Sequence, residues 1–310
     1  MRYPKVIGLL CCLLLVEVCA PAAAAAKRKR PRRAAKNAPV AALTRDGKPN
    51  ILAKSSIIVD LKSGEELYAK NPDEVRSIAS ISKLTAVMAV LDANIPLEQA
   101  TAITDEDARV ARGGAKSRLK VGMALTNRDL LHAALMASDN RSIPALGRGA
   151  GMSPHQLTAA MNAKAKQLGL KNTHFEDPTG LNPGNVSTAR EQVHTLRAAL
   201  EYPLIAAISR KGQHDLTVVG GKSKGLKIRV FNTDRAARSG SAEVLGGKTG
   251  YNDPARYCLV IAAKVNGRHV AMAFLGDEGK LTRFGDFARV AGWVRSQATA
   301  QAPAALQKPK

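Results

Sequence analysis

Cys258-Leu259-Val260-Ile261-Ala262-Ala263-Lys264-Val265-Asn266-Gly267-Arg268-His269-Val270-Ala271-Met272-Ala273-Phe274-Leu275 carries the clearest structural signal in the chain. Two apolar arms rich in β-branched residues flank Asn266-Gly267, a pair that tolerates the positive φ angles of a two-residue hairpin turn. A second hairpin is expected near the other end of the globular part. There Ser55 to Asp60 and Glu66 to Lys70 flank Lys62-Ser63-Gly64-Glu65. Between the hairpins the period changes. Ser80 opens a run with Leu84, Val87, Met88, Val90 and Leu91 at helical spacing. A second helix is expected over Asn127 to Ala137, with Leu130, Leu131, Ala134 and Leu135 on one face. A third spans Pro154 to Leu168, closed by Gly169. Gly279 to Gln297 reads as an amphipathic closing helix and 298–310 as a tail. A hairpin at each end with helices between them predicts an α+β fold, one antiparallel sheet built by both termini and packed with helices.

The chain has 310 residues, 45% of them hydrophobic, enough for a substantial core and far from a disordered polymer. Lys and Arg number 47 against 25 Asp and Glu, a net charge of +22 that calls for an anionic neighbour. Aromatic residues are only 4%, which argues against a stacking platform for single-stranded nucleic acid.

The first residues follow a secretory pattern: Arg2 and Lys5, an apolar run from Val6 to Val18, then small residues up to Ala26. An uncleaved anchor is the competing reading, weakened by Glu17 inside a run too short to span comfortably. With residues 1–26 as a cleaved signal peptide, Cys11, Cys12 and Cys19 leave with it. Cys258 is then the remaining thiol, in a protein that works outside the cytoplasm, in the periplasm, without an internal disulfide. Residues 27–49 read as a basic linker. Seven cations between Lys27 and Lys36 face no acid, and behind an export signal they suit either an anionic envelope surface or a solvated spacer, with no nucleic acid expected. Seven of the +22 charges lie there and one in the signal, so the remainder keeps +14.

Ser80-Ile81-Ser82-Lys83 puts a hydroxyl and an amine three residues apart, on one face of the predicted helix. A serine attacks only when a base takes its proton, and a desolvated lysine can be that base. Spacing alone proves little, because Ser117-Arg118-Leu119-Lys120 repeats the pattern. Ser138-Asp139-Asn140 follows the second helix, where a loop can present a hydroxyl and an amide to a cleft; a helix-ending polar turn would look the same. Lys248-Thr249-Gly250, before Tyr251 and ahead of the C-terminal hairpin, offers a cation, a hydroxyl and a residue without a side chain along a strand edge.

The three motifs in this order form the constellation of penicillin-recognising serine acyltransferases. Together with Ile78-Ala79-Ser80-Ile81-Ser82-Lys83-Leu84, Met161-Asn162-Ala163-Lys164-Ala165, Asp177-Pro178-Thr179-Gly180-Leu181 and Asn185-Val186-Ser187-Thr188-Ala189, the chain resembles the D-alanyl-D-alanine endopeptidase branch of the low-molecular-mass penicillin-binding proteins. The likeness runs from about Ser55 to Arg295. It implies the penicillin-binding and β-lactamase-like serine transpeptidase fold for residues 50–297, with murein peptides and β-lactams as ligands and no cofactor or metal. It further implies Ser80 as nucleophile, Lys83 as general base and Ser138 as proton relay to the leaving amine. Asn140 would hold Lys83 and the substrate amide, Lys248 and Thr249 would bind a carboxylate, and Gly250 would allow close strand approach. The N–H groups of Ser80 and Tyr251 would make the oxyanion hole.

The resemblance favours cleavage of D-Ala-diaminopimelate cross-links, with D-Ala-D-Ala carboxypeptidase, β-lactamase and a non-catalytic wall-binding protein as competing functions. With the chain ending soon after its closing helix, the β-rich C-terminal domain and amphipathic anchor of related carboxypeptidases are expected to be missing. Asn252-Asp253-Pro254-Ala255-Arg256-Tyr257 departs from the small glycine-containing turn usual there and leaves the shape of the cleft rim open. Other candidates carry less. His132, His155, His174, His194, His214 and His269 lack zinc spacing, Cys258 reads as a buried small hydrophobe, and Glu176 only faintly resembles a deacylating glutamate.

Overall fold

The computed structural model describes residues 40–300, so the signal segment 1–26, the linker residues 27–39 and the tail residues 301–310 lie outside the described residues. From Ala41 onward the chain forms one unit. Its centre is a five-stranded antiparallel sheet of β1 (Ser55–Asp60), β2 (Glu66–Lys70), β3 (Glu243–Asn252), β4 (Arg256–Val265) and β5 (Arg268–Asp277). The strand order is β2-β1-β5-β4-β3, so the N-terminal hairpin completes the sheet beside the C-terminal one and β3 is an outer strand. The Asn266-Gly267 turn forms as expected: φ is 49° and 82° at its two residues, and Val265 pairs with Arg268.

Both faces of this sheet are covered, which is why its central strands read as continuous apolar runs without alternation. Leu259, Ile261, Val270, Met272 and Phe274 face one core with Phe287, Val290 and Val294 of the closing helix. Val260, Ala262, Ala271, Ala273 and Leu275 face the larger core, which holds most of the remaining helices. The alanines leave room for helix against strand at short distance.

The helical part contains α1 (Lys83–Asp92), α2 (Asn127–Leu135), α3 (Ser142–Gly149), α4 (Pro154–Gln167) and α5 (Ala189–Leu200), with α6 (Thr282–Ala300) on the opposite face of the sheet. Starts are fixed by side-chain caps. Thr126 accepts from Asp129 N–H, Thr188 from Glu191 N–H, and Ser153 with Gln156 forms a capping box ahead of Pro154. Helix α1 is buried from Lys83 to Val90 and packs against α3, α4 and α5, the position of a helix apolar on nearly every side.

Three boundaries differ from the sequence reading. Helix α2 ends at Leu135 because Met136 to Asn140 break away as a turn. Helix α6 starts at Thr282 and continues to Ala300, three residues into the expected tail. The chain is already folded before Asn50. Leu43 bridges Pro49, Thr44 N–H donates to Lys48 O, and the Asp286 carboxylate accepts from Leu52 and Ala53 N–H.

Candidate active site

Ser80 lies in a single 3₁₀ turn, Ala79–Ser82, that leads into α1. Ala79 has φ 49°, a conformation that costs a residue with a side chain, and the surroundings hold it there. Ile78 N–H donates to Asn185 O, Ser82 Oγ donates to Ala79 O at 2.8 Å, and Asn185 Nδ2 donates to Ser82 Oγ at 3.1 Å. A Cβ on Gly180 would stand 2.2 Å from Ala79 O, so the Asp177–Leu181 loop presses against this turn where only glycine fits.

The Lys83 amine is fully buried and donates to three oxygens: Ser80 Oγ at 2.8 Å, Asn140 Oδ1 at 2.7 Å and the Thr179 carbonyl. Burial lowers its pKa from 10.5 to about 7, against the opposing pull of Asp177 and Asp139. That change corresponds to about 5 kcal/mol against the charged form. Full burial of two or three of Leu84, Val87 and Met88, at about 1.5–3 kcal/mol each, offsets it. Asp177 also shapes the loop, accepting from Thr179, Leu181 and Asn182 N–H at 2.8–3.0 Å and so fixing the Thr179 carbonyl that meets Lys83.

Ser138 has φ 57° in the turn after α2. Asp139 Oδ1 accepts from Arg141 and Ser142 N–H, capping the next helix, and Asn140 is thereby turned inward to Lys83. Ser138 Oγ accepts from Lys248 Nζ at 2.8 Å; the same amine donates to Thr249 O at 2.9 Å. Lys248 is buried, and its pKa is well below the usual lysine value, first through desolvation and then through the positive Lys83 and Arg283. Thr249 Oγ1 donates to Thr233 Oγ1 at 2.6 Å.

Ser80, Ser138, Asn140, Thr249, Gly250 and Tyr251 line one open cavity of about 1130 Å³. Because β3 is an outer strand, this wall can accept an extended peptide. Beyond it, Asn252 pairs with Arg256, Asn252 Oδ1 accepts from Ala255 N–H, and Tyr251 donates to Asp253 while stacking on Tyr257 at 4.3 Å. The unusual rim is thus a short self-braced turn.

The profile of the D-alanyl-D-alanine carboxypeptidase family of serine peptidases matches residues 42–279. The chain belongs to this family. It is a serine-type D-alanyl-D-alanine peptidase, a hydrolase of the penicillin-binding class that acts on the cell wall outside the cytoplasm. A D-alanyl-D-alanine endopeptidase of Escherichia coli (strain K12) is 36% identical over 268 residues, 86% of this chain and 85% of the relative. One from Pseudomonas aeruginosa is 35% identical over 253 residues, 82% and 80% of the two chains. The crystal structure of the Streptomyces K15 DD-transpeptidase superposes with a TM-score of 0.72 at 26% identity, covering 79% of this chain and 98% of that one. The α+β transpeptidase fold expected from the motifs is the fold observed.

Within this peptidase Lys248 and Gly250 have particular surroundings. Lys248 is not itself among the cavity-lining residues; its amine lies behind the wall and donates to Ser138 Oγ and Thr249 O, two residues that do line it. Gly250 does serve close approach, but to the protein itself: a Cβ there would stand 2.6 Å from Ile78 O and 3.3 Å from Ile81, on the side of the nucleophile turn. Of the weaker candidates, Glu176 is outside the cavity lining and pairs with His174 at 2.8 Å. Cys258 is buried and burial pushes its thiol up to about 11. Asn162 braces Phe175 through both backbone groups and Lys164 pairs with Asp92, so that motif supports the fold.

Sequence spacing missed one cluster, Asp129, His132 and His214, whose ligand atoms could share an ion. The imidazoles are stacked at 3.7 Å, which aims their nitrogens side by side and not at one point, and Lys211 Nζ sits 3.2 Å from His132 Nε2. Burial lowers the His132 pKa to about 4. The Thr179 carbonyl, Thr233 and buried Arg283 were also missed. Only the dense Asp177-Pro178-Thr179-Gly180 pattern signalled the first.

Proposed function

We propose that this peptidase works through an acyl-enzyme on Ser80, and that its preferred substrate is the D-Ala-diaminopimelate cross-link of peptidoglycan. The observation that carries the mechanism is the buried Lys83 amine, 2.8 Å from Ser80 Oγ and with its pKa lowered to about 7, so that much of it is neutral at working pH. Ser80 Oγ attacks the D-alanyl carbonyl carbon while its proton passes to Lys83 Nζ. The tetrahedral oxyanion meets the N–H groups of Ser80 and Tyr251. The C–N bond then breaks as Ser138, whose oxygen accepts from Lys248, gives its O–H proton to the leaving nitrogen and is reprotonated by the proton that Lys83 took from Ser80, which leaves Lys83 neutral again. Water, deprotonated by Lys83, finally cleaves the ester.

Asn140 orients the base, and Thr249 with Thr233 offers hydroxyls to the substrate end beyond the scissile bond. Lys248 is a positioning residue for Ser138. Endopeptidase action is supported by the endopeptidase relatives at 36% and 35% identity. Residues 1–26 are assigned as an export signal to the periplasm, the basic segment from Lys27 to about Val40 as a linker that holds the enzyme at an anionic envelope surface, and the segment following as the peptidase domain. Digestion of purified cross-linked muropeptides, with products identified by mass, tests the substrate. Conversion of dimers to monomers is expected, and release of terminal D-alanine from pentapeptides alone would replace this reading by carboxypeptidase.

A further inference from the structure

The cleft is larger and more basic than attack on a D-alanyl bond requires. Its volume, about 1130 Å³, lies above the range of roughly 300–1,000 Å³ usual for a small-molecule pocket. Away from Ser80 its lining includes the exposed cations Arg112, Arg235, Arg238 and Lys280. Asp253 is the one carboxylate among the described lining residues, and it already accepts from Tyr251.

Arg235 and Arg238 stand out within this set. They are three apart on the short helix Arg235–Ser239, hence on one face. Neither side chain forms an ion pair among the described residues, whereas Arg229 holds Asp215, Arg190 holds Asp73 and Arg268 holds Asp60. Their helix is anchored at the site. Asp234 caps it by accepting from Ala236 N–H, and Thr233, the residue before that cap, is bonded to Thr249 on β3. The pair therefore begins two residues beyond the hydroxyls that face the leaving side of the substrate. Guanidinium groups recognise carboxylates through paired N–H donors in a fixed plane. Phe231 and Leu281, both about half exposed on the same cavity, offer surface to aliphatic stems.

We infer that Arg235 and Arg238 form a subsite for a leaving peptide bearing several carboxylates, so that a cross-linked dimer is recognised by its acidic second strand. This rests on the reading of the chain as a DD-peptidase acting at Ser80. The subsite explains how one nucleophile can prefer a cross-link to a bare D-alanyl terminus: the dimer's leaving strand carries additional carboxylates, and the terminal D-alanine carries one.

The test compares kcat/KM for a purified cross-linked disaccharide-peptide dimer with that for the same dimer after amidation of its free carboxylates. Full-length wild type, Arg235→Gln/Arg238→Gln and the charge-matched Lys166→Gln/Lys171→Gln, whose lysines are exposed outside the cleft, are measured in parallel. Wild type should lose about tenfold on amidation, and the arginine variant should cleave both dimers at the lower value. The lysine variant should keep the full preference for the acidic dimer. The preference should also shrink with added salt. A preference that survives in the arginine variant, or is lost equally in the lysine variant, overturns the subsite. Fluorescent-penicillin labelling of each protein separates the two claims: wild type that labels at Ser80 but ignores amidation defeats the subsite alone. Wild type that fails to label defeats the underlying reading.

Discussion

Two stretches of this chain place a serine three residues before a lysine, and they differ in what surrounds the amine. In Ser80-Ile81-Ser82-Lys83 the turn enters a helix buried on nearly every side, and the amine is enclosed with three acceptors. In Ser117-Arg118-Leu119-Lys120 the segment is a surface loop. Ser117 Oγ donates to Asp139 Oδ2 and accepts from Leu119 N–H, and Lys120 is exposed. Burial among these acceptors lowers the Lys83 pKa to about 7 and makes it a base, an enclosure that the surface segment around Lys120 does not offer. Ser117 instead ties the loop that presents Ser138 and Asn140. Nucleophile activation is a property of the enclosure, and the spacing is only its precondition.

The largest effects should fall on one member of this comparison. Ser80→Ala should abolish labelling by a fluorescent penicillin, and Lys83→Gln should slow acylation by roughly 10²–10⁴-fold. Ser117→Ala should still label at Ser80, read by peptide mapping of the adduct. Labelling lost with Ser117 and kept without Ser80 would reverse the assignment.

A smaller loss is expected at Lys248, which reaches Ser80 only through Ser138. Lys248→Gln removes a charge-assisted contact worth about 1.5–3 kcal/mol, roughly 10- to 150-fold in acylation efficiency. Because the amine points to Ser138 and not into the cavity, a carboxylate-bearing penicillin and its ester should suffer alike. A penalty confined to the acid would restore direct carboxylate binding by Lys248.

The mildest test uses pH on the unaltered enzyme. Lys83 is the base only when neutral, and its pKa is about 7, so acylation should rise with pH through that value. Between pH 6 and pH 8 the increase should be roughly tenfold, set by the fraction of neutral amine. Stopped-flow acylation rates that stay flat up to pH 9 would mean that Lys83 remains charged and the base lies elsewhere.

Much of this is legible in the sequence. Asn266-Gly267 and the Ser80, Ser138 and Lys248 motifs are local patterns whose physics operates over a few residues, and the turn forms at the two residues that announce it. The central strands were harder to orient, because residues buried on both faces of a sheet show no alternation to say which helix layer each one meets.

Local sequence carries the two hairpins, the main helices, the order of the motifs and the family they imply. What each polar group touches depends on the folded chain. Lys83 meets a carbonyl 96 residues away, Lys248 meets a hydroxyl 110 residues back, and a Cβ on Gly250 would meet Ile78 O. The reason is physical: burial and partner geometry fix a lysine's proton and an arginine's availability, and both arise only when distant segments close around the group.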